Sequence, residues 1–222
     1  VLDAATIQQN CQIFTKILTE HYPNFSIAYA SKAGLNIGIA NLIAFEGIGA
    51  DVVSGGELYT VLKSQIDPKK IYFHGNNKSI EELELAIANH IRLVVDNAYE
   101  VALIETIATR LNKKAKMMFR IKPGIEAHTH EYIKTGHIDS KFGFEFNDIL
   151  PLIKKIHGSE WGEFIGIHAH IGSQIFDMNP YYDLVSILVG FMDTIYSEFG
   201  IDIPELNCGG GFGIKYTEND QA

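Results

Sequence analysis

Short apolar runs alternate with stretches of helical periodicity along nearly the whole chain. Asp3 is placed to cap a first helix, in which Ile7, Cys11, Phe14 and Leu18 recur on one face. Apolar runs at 27–31, 50–54, 71–74, 93–96, 116–121, 164–170 and 205–208 predict seven strands. Helical patterns fill the intervals. They cover 36–46, a segment after Gly55-Gly56 carrying Leu58, Val61 and Leu62, a segment opened by Ser79, then 97–111, 147–156 and 180–199. Ser79 with Glu82 has the spacing of a capping box, and Pro180 suits a first helical turn. The first five strands begin about 20 to 24 residues apart, the length of one strand-plus-helix unit. Several are almost continuously apolar, as parallel strands covered on both faces must be. Right-handed crossovers then leave two architectures, a barrel or an open doubly wound sheet.

The polar residues at the strand ends favour the barrel. Lys32, Asp51, His74, Asp96, Arg120 and His170 fall at or just beyond the ends of six predicted strands. A barrel gathers all strand ends at one mouth, whereas an open sheet gathers only those near its switch point. The expected fold class is therefore α/β, a (β/α)8 TIM-like barrel that is incomplete here. Only seven strands can be counted, and nothing after Gly213 reads as an eighth. Unpaired edges at the first and last strands would invite aggregation, so the natural protein is expected to be longer than residues 1–222.

Composition narrows the setting. The formal net charge of −9, without a block of five like charges, argues against a nucleic-acid surface. No apolar run approaches the ~18 residues of a membrane span, and the first residues lack the basic start of a signal peptide. Cys11 and Cys208 are the only cysteines, which excludes a disulfide framework and a thiolate-rich metal site. A soluble cytoplasmic enzyme is the expectation.

Four features could carry chemistry. Lys32 closes an apolar strand at the barrel mouth, where a partly desolvated amine suits Schiff-base formation; the alternative is a solvated lysine. Gly209, Gly210 and Gly211 follow the last strand, where barrels gather their phosphate sites, and could turn backbone N–H groups onto an anion. They could equally form a tight turn. His168 and His170 lie two apart in a predicted strand, so they share a face. They could bind a metal with His74, His128 or His130, stack on a flat cofactor ring with Ser173 donating to its phosphate, or be satisfied core histidines. No carboxylate beside them orients them as ligands, which weakens the metal reading. Arg120 suits a carboxylate or phenolate oxygen, or a rim salt bridge. Asp51 and Asp96 could orient such groups or cap turns. The long loop at 128–143, with Lys134 and Lys141, could be a lid or a solvated connection.

Taken together, six stretches carry a family resemblance. They are Tyr29-Ala30-Ser31-Lys32-Ala33, Asp51-Val52-Val53-Ser54-Gly55-Gly56-Glu57, Phe119-Arg120-Ile121-Lys122-Pro123-Gly124, the loop from Thr135-Gly136 to Ser140-Lys141-Phe142-Gly143, His168-Ala169-His170-Ile171-Gly172-Ser173-Gln174, and Gly209-Gly210-Gly211-Phe212. In this order the chain resembles the type III fold pyridoxal-phosphate decarboxylases, and within them the branch acting on meso-diaminopimelate in lysine biosynthesis. The resemblance implies an alanine racemase-like N-terminal barrel over residues 1–222 and pyridoxal 5′-phosphate as cofactor, with no metal. It implies Lys32 as the residue holding the cofactor covalently and His170 stacked on the ring. Ser173 with Gly209, Gly210 and Gly211 would bind the phosphate, and Asp51 and Arg120 would belong to the surrounding polar network. It further implies a small amino-acid substrate and a homodimer. Members of the family continue into an eighth strand with a Glu-Pro-Gly-Arg motif and then a β-domain. These supply the partner of the pyridine nitrogen, most substrate contacts and a cysteine inserted by the neighbouring subunit. None of these is in this sequence, so residues 1–222 alone are expected to be inactive. Decarboxylases of ornithine, arginine or carboxynorspermidine, a non-catalytic homologue and a metal-dependent barrel hydrolase are the alternatives.

Overall fold

A computed structural model describes residues 2–125 and 142–218. The fourth resembling stretch lies outside those residues except for Phe142 and Gly143, as do His128, His130 and Lys134. The chain forms two compact units. The first comprises Val1–Val94 with Tyr99–Lys116, and the second Val95–Ala98 with Met117–Ala222.

The first unit repeats strand and helix in chain order. It holds α1 (Ala4–His21), β1 (Ala28–Ala30), α2 (Ile37–Phe45), β2 (Gly49–Val52), α3 (Gly55–Leu62), β3 (Ile71–Phe73), α4 (Ile80–Ala88), and most of β4 (Arg92–Val95) and of α5 (Ala98–Leu111). The strands pair in parallel as β1-β2-β3-β4. All of β3 is buried, as are Gly49, Ala50 and Val52 of β2, which explains why these strands read as unbroken apolar runs. The caps at Asp3 and Ser79 lie where the sequence puts them, and the structure adds one at Asn36. Asp3 accepts from the Ala5 N–H, Asn36 from Ile39, and Ser79 exchanges both bonds of the capping box with Glu82. α1 buries no residue fully, and Phe14, expected on its inner face, is exposed. Polar bonds tie it down: Gln8 and Gln12 both donate to the Glu46 carboxylate at 3.0 Å.

A buried ion pair locks this unit from within. The Lys78 ammonium donates to the Gly75 carbonyl (2.7 Å), the Val94 carbonyl (2.8 Å) and the Glu100 carboxylate (2.6 Å). Its side chain is 1% exposed and that of Glu100 6%. One cation thus fastens the turn after β3, the end of β4 and the first turn of α5.

The second unit holds most of β5 (Ala115–Arg120), then α6 (Phe146–Ile156), β6 (Gly162–His168), α7 (Asn179–Phe199) and β7 (Glu205–Asn207). β6 and β7 are parallel, with His168 opposite Asn207. Leu184, Leu188, Phe191 and Ile195 form the buried stripe of α7, at the spacing of one helical face. Phe119 of β5 meets Phe144 edge-on at 5.2 Å.

Each described strand stops one or two residues before the predicted end. The reason is that the final residues serve the turn. Ser31, Lys32 and Ala33 wind into a 3-10 turn, and Ser54 caps α3 by accepting from the Glu57 N–H. β6 ends at His168, so His170 lies in the loop beyond the strand and not within it.

Candidate active site

In the first unit the polar groups stand at the carboxyl ends of β1, β2 and β3. The register pairs Ala30 with Asp51 and Asp51 with Tyr72, and the His74 N–H continues the ladder to the Val52 carbonyl at 2.8 Å. Residues two apart share a face of a strand, so His74 emerges on the same face as Asp51. Its Nε2 lies 3.6 Å from Asp51 Oδ2. Asp51 is therefore an imidazole partner. Lys32 sits just past β1, exposed, with no hydrogen bond or ion pair among the described residues. The Ser31 hydroxyl beside it is buried and makes no hydrogen bond among the described residues.

In the second unit four elements converge. Arg120, closing β5, has Nη1 3.5 Å from Asp96 Oδ1, and its guanidinium lies over the Phe142 ring at 5.1 Å. This is the salt bridge that was the plainer reading of Arg120. His168 is buried, and its Nδ1 lies 3.1 Å from the Asn207 carbonyl. Burial first, then the charges of Arg120 and His170, push its pKa down to about 3, against the opposing hydrogen bond to Asn207. His168 is accordingly neutral near pH 7, with Nδ1–H as donor to that carbonyl. Burial also pushes the Cys208 thiol up, which leaves it a poor nucleophile.

The depressed His168 pKa has a consequence for stability. An unfolded histidine titrates near 6.5 and this one near 3, so the folded state binds fewer protons between those values. Its contribution is whole above about pH 6.5 and falls as pH drops toward 3, by at most about 4–5 kcal/mol. Urea unfolding of His168→Asn should show a shallower acid-side decline than wild type between about pH 6 and 4. Identical slopes would remove His168 from the account.

His170 and the glycine turn are built against each other. A Cβ on Gly209 would lie 3.0 Å from His170 Nδ1 and 2.7 Å from the Ala169 carbonyl oxygen. One on Gly211 would lie 3.4 Å from His170 Cε1 and 2.0 Å from the Gly172 carbonyl oxygen. Both glycines have positive φ, 71° and 99°, so a side chain there is excluded by space and by backbone alike. Gly210 between them faces open space. The Gly209 N–H is taken by Asn207 Oδ1 at 2.8 Å, whereas the N–H groups of Gly210 and Gly211 donate to nothing among the described residues. The exposed Ser173 hydroxyl likewise has no partner among them. Free backbone donors beside a hydroxyl and an imidazole suit a phosphate group.

The two histidines that might have shared a metal thus have different surroundings: one is buried on a carbonyl, the other lies against a glycine turn. Among the described residues no three His, Cys, Asp or Glu side chains cluster as ligands. Of the expected site residues, the structure brings Asp51 to His74, and His170 to Gly209 and Gly211. It adds Lys78, Glu100, Gln174 and Tyr181, which sequence reasoning missed. Only Gln174, inside a dense motif, stood where a search would have looked.

Comparison with known proteins agrees with this geometry. Residues 4–222 match the family model described as pyridoxal-dependent decarboxylase, pyridoxal binding domain. A diaminopimelate decarboxylase of Synechocystis is 44% identical over 99% of this chain and 49% of its own length. One of Bacillus subtilis is 41% identical over 100% of this chain and 51% of its own length. The crystal structure of diaminopimelate decarboxylase from M. jannaschii in co-complex with L-lysine superposes with a TM-score of 0.85 at 38% identity, covering 97% of this chain and 51% of that one. The chain thus spans about half the length of the relatives it matches. The shared fold is the α/β barrel of those enzymes, incomplete here with seven parallel strands.

Proposed function

Because the chain belongs to the pyridoxal-dependent decarboxylases, matching their pyridoxal-binding domain, we propose that the whole protein decarboxylates meso-2,6-diaminopimelate to L-lysine and carbon dioxide. The observation that carries the cofactor half of this reading is the glycine turn seated against His170, with free donors at Gly210, Gly211 and Ser173. The substrate half is supported by relatives of that activity at 41 and 44% identity along the full chain.

The residues present fit pyridoxal 5′-phosphate. Gly210 and Gly211 offer backbone N–H groups to its phosphate, Gly209 lets the turn approach His170, and the Ser173 hydroxyl adds a donor. His170 offers a flat, half-buried imidazole for the ring. Lys32, exposed and unengaged among the described residues, supplies the amine for covalent attachment. Within the first unit Asp51 has His74 at 3.6 Å, and within the second Arg120 has Asp96 at 3.5 Å. When bound, the cofactor supplies an electron sink for the pair released as the carbon–carboxylate bond breaks. Lys32 Nζ could also hold a proton and help return it to the α-carbon. Neutral His168 keeps a second cation away from Arg120 and His170.

No helix among the described residues is long and apolar enough to cross a membrane. We place the activity in the cytoplasm and take the working form to be a homodimer. Release of carbon dioxide by the full-length protein should be tested on diaminopimelate, ornithine, arginine and carboxynorspermidine. Diaminopimelate is expected to be the preferred substrate. Preference for another diamino acid would overturn the substrate, and no release from any would overturn the activity.

A further inference from the structure

We propose that Gln174 is a positioning residue for phosphate binding: it clasps the loop after β6 to the glycine turn after β7, and so sets Ser173 against the N–H groups of Gly210 and Gly211. The inference rests on the cofactor reading above, but it concerns a side chain which that reading does not use.

The backbone of Gln174 is the first sign. Its φ of 54° is left-handed, a conformation shared among described non-glycine residues only with His90 and Asn112. Those two directly follow the ends of α4 and α5, where a left-handed residue is an ordinary helix stop. Gln174 follows no helix. A strained backbone persists where its surroundings hold it.

The side chain is what holds it. Gln174 Nε2 donates to the Ile214 carbonyl at 3.0 Å, and Oε1 accepts from the Ile214 N–H at 3.0 Å. The amide thus pairs with a backbone as another strand would. The next residue continues the clasp. The Ile175 N–H donates to the Gly211 carbonyl at 3.0 Å, and the Gly213 N–H to the Ile175 carbonyl at 2.8 Å. On the other side of Ser173, Gly172 and Gly211 approach so closely that a Cβ on Gly211 would sit 2.0 Å from the Gly172 oxygen. Ser173 is therefore held between two contacts with the same turn. Tyr181 fastens that turn again. Its hydroxyl donates to the Gly210 carbonyl at 2.9 Å, and its ring stacks on Phe212 with centroids 4.9 Å apart.

Donors fixed in advance bind an anion without an ordering cost, which is the advantage of preorganisation. A clasp that acts through the phosphate must leave the rest of the cofactor alone. The test measures affinity of the full-length protein for pyridoxal 5′-phosphate and for pyridoxal, which lacks the phosphate. Gln174→Ala should weaken binding of the phosphorylated form about tenfold, as expected for two lost hydrogen bonds, and that of pyridoxal less than about twofold. Gln174→Gly relieves the strained φ yet lacks the clasp, so it should lose the same phosphate preference. Gln174→Glu, which keeps the acceptor for Ile214, should fall between. Tyr181→Phe should weaken phosphate-dependent binding in the same direction. Equal weakening for both ligands, or wild-type affinity in Gln174→Gly, would overturn the positioning role. A wild type without preference for the phosphorylated form would overturn the cofactor reading, and this inference with it.

Discussion

Lys32→Ala is expected to lower decarboxylation by about four orders of magnitude while leaving the fold intact. Two roles are lost together on the proposed reading: covalent attachment and the proton held at Nζ. General acid–base assistance alone accounts for about 10²–10⁴-fold, and covalent catalysis adds to it. The fold should not notice. Lys32 is exposed and unengaged among the described residues, and such substitutions cost within about 0.5 kcal/mol. Noncovalent cofactor binding should persist, because Gly210, Gly211 and Ser173 are untouched. A small added amine should restore part of the rate. Thermal unfolding and single-turnover assays separate these outcomes. An unstable variant, or one retaining a tenth of the activity, would contradict the assignment.

The second large effect falls on stability. Lys78→Met should cost about 3–5 kcal/mol, because it takes the Lys78 cation away from the buried Glu100 carboxylate. The Gly75 and Val94 carbonyls would lose their donor as well. Removing both charges with a second substitution, Glu100→Leu, should recover most of that loss, since a buried pair owes much of its apparent strength to the penalty for breaking it. Denaturant unfolding of the two single variants and the double variant gives the coupling directly. A Lys78→Met variant within about 1 kcal/mol of wild type would show that the buried pair is not a fastening of this unit.

Local signals in this chain were readable and distant ones were not. The caps at Asp3 and Ser79, and the start of α7 at Pro180, need only neighbours within a turn, so the residues declare them. The apolar pattern carries the strand ends one or two residues too far because polar residues such as Ser54 belong to the following cap, which an apolar run cannot reveal. Lys32 likewise lies in a 3-10 turn just past β1. His74 meets Asp51 only through the register of β2 and β3, and Lys78 finds Glu100 only once Val94 and α5 are in place. Neither pairing follows from spacing. The glycine turn was visible as a motif with two readings; the contact of Gly209 and Gly211 with His170 favours the anion cradle over a bare turn. The clasp of Gln174 on Ile214 was hidden for the same reason as the ion pair, although Gln174 lies in one motif in view and Ile214 lies just past another.

The central claim is that Lys32 holds the cofactor, and one measurement tests it most directly. The full-length protein, loaded with pyridoxal 5′-phosphate, is reduced with borohydride, digested and mapped by mass spectrometry. The account predicts a single pyridoxyl-phosphate mass addition on the peptide carrying Lys32. Addition on another lysine, or no addition to a protein shown to be folded, would contradict it.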